Sequence, residues 1–184
     1  MLQVTLAFIV AGVFLAAVAG KARHRSALGD VADVARQLNL PDTISRHAGK
    51  LLLAGEFCAA VLIVVPPFSP LGAALAVVLL AGMAWGIQRI RTAGTGATCR
   101  CFGGSATELR ARHVVRNLAL ALAATAVLAL RLAQGPPHLA FPQWALAFAA
   151  ASVATLAVVH LDDLIFLFGP SKVPQRPVPK GSDS

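Results

Sequence analysis

Residues 2–20 read LQVTLAFIVAGVFLAAVAG, an uncharged run of 19, and residues 21–25 read KARHR. A helix of that length rises about 28 Å, enough to cross the hydrocarbon core of a bilayer. No basic stretch precedes the run, and its apolar part is longer than the core of a cleaved signal peptide. It therefore reads as a first membrane span, with its N-terminus outside and Lys21, Arg23 and Arg25 at the inner face. Further apolar runs follow at about 51–65, 71–87, 112–130 and 139–160. The chain is 57% hydrophobic and 13% charged, with a mean hydropathy of +0.73. A soluble domain carries nearly twice that charge, so a water-exposed globule is excluded. The expected fold is an all-α polytopic membrane helix bundle of about five transmembrane helices, one domain over residues 1–168. Residues 169–184 hold four prolines and no hydrophobic period, and read as a disordered tail.

The connections follow from the same reading. Residues 21–50 carry six Lys or Arg, and within them Val31, Val34, Ala35 and Leu38 recur at helical spacing, which predicts a short surface helix ended by Leu40-Pro41. Residues 66–70, PPFSP, predict a tight hairpin on the opposite face. Trp85 and Trp144 read as interfacial anchors, His24 and His47 as solvated, and His160 with Asp162 and Asp163 as a wet helix end. Gly12, Gly55, Gly72 and Gly82 read as helix-packing contacts. Six Lys or Arg in 21–50, six in 89–116 and three in the tail would share one side, leaving Arg131 alone on the other. That asymmetry makes the shared side cytoplasmic, with the C-terminus in. The charge of +8 is thus explained by topology and anionic lipid, not by nucleic acid.

Chemistry concentrates between the third and fourth spans. Cys99 and Cys101 flank Arg100, followed by Phe102, Gly103 and Gly104. Two sulfurs one residue apart form a local dithiol, the fixed charge between them favours thiolate, and a bridge closed across one residue is strained and labile. Glu56 stands inside the second span, where an ionisable side chain must face the bundle interior, paired with a neighbouring Arg or serving proton movement. His113, Arg116 and Asn117 fall at i, i+3 and i+4 at the start of the fourth span, on one face just below the cysteines. Cys58 is expected to be a buried, inert small residue, with thiol exchange with the loop pair as the alternative.

The motif Cys99-Arg100-Cys101-Phe102-Gly103, with Glu56 before it and Arg116-Asn117 after it, resembles the methylamine utilisation protein MauE family, related to DoxX-like membrane proteins. The resemblance covers roughly the first through the fourth span. It implies a DoxX-like four-helix core plus a further C-terminal span, in a bacterial inner membrane. It also implies help with disulfide formation or electron transfer to thiols during maturation of an exported partner, beside a thioredoxin-like protein. On that resemblance Cys99 and Cys101 would be the redox pair, with Glu56, Arg116 and Asn117 as polar support, and no cofactor or metal is called for. Two alternatives stand beside it. One is a metal site of Cys99, Cys101 and His113 with His47 or Cys58; the other is a non-catalytic scaffold or small-solute carrier holding a buried Glu56–Arg116 pair.

Overall fold

The computed structural model describes residues 1–24, 26–93, 98–99, 107–108, 111–137 and 139–160, the four strand residues by backbone only. The elements in chain order are α1 (Leu2–Arg23), α2 (Ser26–Gln37), α3 (Asp42–Val64), a 3-10 turn (Pro66–Phe68), α4 (Ser69–Ala93), β1 (Thr98–Cys99), β2 (Thr107–Glu108), α5 (Ala111–Gln134) and α6 (Phe141–Val159). Five of the described helices are long and apolar enough to span a membrane, so the protein is an all-α multi-pass membrane bundle. The expected tail, together with Asp162 and Asp163, lies outside the described residues.

The helices meet through small side chains. Buried positions include Ala7, Ala11, Ala59, Ala60, Ala73, Ala76, Ala121 and Ala124, while Leu71, Val78, Leu122 and Leu132 point outward, each more than 60% exposed. Lipid tails solvate leucine as well as a protein interior does, so apolar bulk does not drive these helices together. Close backbone approach does, and that needs small residues at the contacts. The clearest case is Gly72, where an added Cβ would collide with the backbone of Leu62 and Ile63, closing α3 onto α4. A Cβ at Gly12 would lie 2.7 Å from Oγ1 of Thr155 on α6. At Gly55 the neighbour is the flexible end of Leu79, and at Gly82 nothing lies within 4 Å, so the packing role expected of Gly82 is absent.

One core is shared by α1, α3, α4 and α5, centred on Val10, Phe14, Ile63, Leu80, Leu120 and Val127. Among the described elements α6 packs mainly on α1, burying only Ala147 and Ala151, with Phe8 edge-on to Trp144 and Phe148. The molecule is therefore a four-helix core with one helix added outside. Trp144 accordingly packs against a neighbouring helix, whereas Trp85 is exposed with the Arg89 guanidinium over its ring, as an interfacial anchor would be.

Two boundaries differ from expectation. The second span begins at Asp42, well before residue 51, because the first turns of α3 carry α2 across them. Leu28 of α2 lies directly over Gly49. The amphipathic helix is longer than its valine pattern and buries Ala27, Ala32 and Ala35, so it docks on the bundle itself. Asn39, at φ 57, ends it in a left-handed cap: the Leu40 N–H bonds back to Ala35 O at 3.2 Å, before Pro41 opens α3.

Candidate functional site

Each core helix carries one inward stripe with a residue every three or four positions. On α1 it runs Gln3, Ala7, Val10, Phe14, Ala17, Lys21, and on α5 Asn117, Ala121, Ala124, Val127, Arg131. The stripes are apolar in the middle and polar at the ends. Alternating helix direction then gathers the polar members into two groups, at opposite ends of the bundle.

At the end where α2 lies, the group comprises Lys21, Ser45, Glu56, Arg116 and Asn117, none more than 8% exposed. Its centre is an ion pair. Lys21 Nζ donates to both carboxylate oxygens of Glu56, at 2.6 and 2.7 Å, with both side chains 1% exposed. Glu56 thus faces the interior as expected, but its counter-charge is a lysine of α1 and not an arginine. Lys21 stands at the head of the basic loop in the sequence, yet its spacing from Gln3 along the inward stripe of α1 places it inside. Its long stem lets the ammonium reach back toward the bundle centre from a backbone position two residues short of the helix end. Ser45 closes the turn into α3 by donating to Leu40 O at 3.1 Å. Arg116 and Asn117 lie on the inward face of α5, about 7.5 Å along the axis from its first residue. His113, a turn earlier, is half-buried.

The two described strands, β1 and β2, stand at this same end. Backbone bonding pairs β1 with β2 antiparallel, Thr98 opposite Glu108 and Cys99 opposite Thr107, and β1 lies against α2. Cys101, Arg100, Phe102, Gly103 and Gly104, and the side chain of Cys99, lie outside the described residues. Cys58 is not the buried thiol expected: it is exposed on the flank of α3, turned from the core. His47 is also exposed, bonded through Nδ1 to Thr43 O.

The family model described as methylamine utilisation protein MauE matches residues 1–131. The chain belongs to the MauE family. The match takes in α1 to α4, the cysteine loop and α5 as far as Arg131, and stops short of α6. No curated protein and no solved structure matches the chain.

Proposed function

We propose that this MauE-family protein supports thiol–disulfide exchange at the membrane, using Cys99 and Cys101 to help a partner protein mature, as the family's name would place it in methylamine utilisation. The supporting observation is the position of β1. The backbone of Cys99 is paired into a hairpin that rests on α2, over the bundle end where the buried Lys21, Glu56, Arg116 and Asn117 gather. A thiolate of the pair attacks a partner disulfide, and the partner's sulfur leaves as a thiolate. The second cysteine then breaks the mixed disulfide, so two electrons pass to the partner and the pair is left oxidised. A thioredoxin-like dithiol carrier restores it. Arg100 and Arg116 favour the attacking thiolate by their charge. The Lys21–Glu56 pair, being neutral overall, holds α1 and α3 in fixed register beneath the hairpin without opposing that charge.

In this reading the protein sits in a bacterial inner membrane with its N-terminus outside and the cysteine hairpin on the cytoplasmic side. Replacing Cys99 and Cys101 singly by Ser tests it. One variant should accumulate a mixed disulfide with its partner, visible as a reductant-sensitive band on a non-reducing gel, and the double variant should give none. Single and double variants that all support partner maturation like the wild type would leave the scaffold reading in its place.

A further inference from the structure

The opposite end of the bundle holds a second buried polar group. Gln3 opens the inward stripe of α1, Ser69 opens that of α4, and Arg131 ends that of α5. They share one end because successive core helices reverse direction: Lys21 at the end of α1 meets Glu56 of α3, and Gly72 at the start of α4 meets Ile63 at the end of α3. The parallel run of α1 and α6, with Phe8 against Trp144 and Gly12 against Thr155, puts the end of α5 at the level of the start of α1. All three side chains are more than nine-tenths buried, at 6%, 0% and 5% exposure. Each has polar atoms with no hydrogen-bond partner: Gln3 Oε1, Ser69 Oγ, and Nε and Nη1 of Arg131.

A guanidinium so placed demands an anion. Among the described residues none is supplied here: the described acids are Asp30, Asp33, Asp42, Glu56 and Glu108, and none falls in residues 65–71 or 131–141. The contrast with Lys21, whose charge is met inside the protein, is direct. We propose that Arg131, with Ser69 and Gln3, forms a binding site for the phosphate group of a membrane phospholipid.

The site lies one turn from the end of a membrane span, at the depth where headgroup phosphates stand, and Leu132 beside it is 73% exposed, so the flank of α5 at this level faces lipid. Guanidinium, hydroxyl and carboxamide together offer donors to several phosphate oxygens, the amide by turning its nitrogen inward. A partner protein's carboxylate would satisfy the charge too, but would have to enter from the side through lipid.

The test uses the full-length protein, purified in detergent, stripped of lipid and titrated with phosphatidylglycerol under native mass spectrometry. The wild type should hold one lipid tightly; Arg131→Gln should bind it at least tenfold more weakly, with Arg131→Lys between the two. Uncharged diacylglycerol should not bind. Inorganic phosphate as competitor separates the sources: displacement of the lipid at millimolar phosphate means the phosphate group alone is read, and no displacement means the headgroup with its chains. Equal phosphatidylglycerol affinity in wild type and Arg131→Gln overturns the proposal, as does diacylglycerol binding as tightly as phosphatidylglycerol. Should Arg131→Gln not assemble, Ser69→Ala and Gln3→Leu keep the charge and should each weaken binding several-fold. Unchanged binding in both overturns it as well.

Discussion

At the residue scale the decisive interaction is Lys21 with Glu56. Two charges withdrawn from water are held by one another at 2.6 and 2.7 Å, each side chain 1% exposed. Removing one partner strands the other, a change that typically destabilises by about 3–5 kcal/mol, whereas replacing both by apolar residues of similar size is often neutral or better. Lys21→Met is therefore expected to lower the unfolding temperature in detergent markedly, and Lys21→Met with Glu56→Leu to restore it. A single variant as stable as the wild type would mean that the pair does not hold the helices. The double variant also separates roles. If it folds and still supports partner maturation, Glu56 is structural; if it folds and does not, the charges themselves are used. Sequence reading found Glu56 because an acid inside an apolar run is conspicuous. It missed Lys21 because a lysine at the end of a span looks like an ordinary loop positive.

At the scale of elements, helix contacts depend on where a side chain is missing. Gly72 and Gly82 lie on the same helix, yet a Cβ at the first would strike the backbone of α3, which cannot rotate away, and at the second would meet open space. Gly72→Leu should then destabilise by about 1–3 kcal/mol or more, while Gly82→Ala should be close to neutral. Thermal unfolding of the two variants side by side checks this, and equal effects would remove the close-packing account of the α3–α4 hairpin. The glycines were visible in the sequence as candidates, but which of them packs depends on helix rotation. That rotation is set by the inward stripes of neighbouring helices and not by the glycine itself. The early start of α3 has a similar origin. Residues 42–50 are too polar to signal a span, and they are helical because α2 packs across them.

For the whole molecule the question is which end faces which compartment. Lys21 and Arg116 are buried, but Arg23, Arg36, Arg46, Lys50, Arg89 and Arg91 remain exposed at the α2 end, whereas among the described residues the other end carries only Arg131, itself buried. The charge asymmetry on which the proposed orientation rests therefore survives the loss of its buried members. A membrane-impermeant thiol reagent applied to intact cells is expected to leave Cys99 and Cys101 unmodified and to label them after the cells are opened. Cys58, on the flank of α3 in the spanning region, should stay unlabelled in both. Labelling of the pair in intact cells would reverse the orientation and with it the proposal of a cytoplasmic electron donor.

Hydropathy alone was enough to count the five spans and to place the hairpin between the second and third, because a chain in lipid must close its backbone hydrogen bonds within each helix, and apolar length is then a direct measure of a span. The family could also be read from short motifs. What only the tertiary structure decided was pairing: that Glu56 meets Lys21, that Cys58 faces outward, that α6 stands outside the core, and that Gln3, Ser69 and Arg131 gather at one end. Those outcomes depend on how five similar helices rotate and slide against one another. That choice is made by small-residue contacts and buried charges distant in sequence, which no local pattern records.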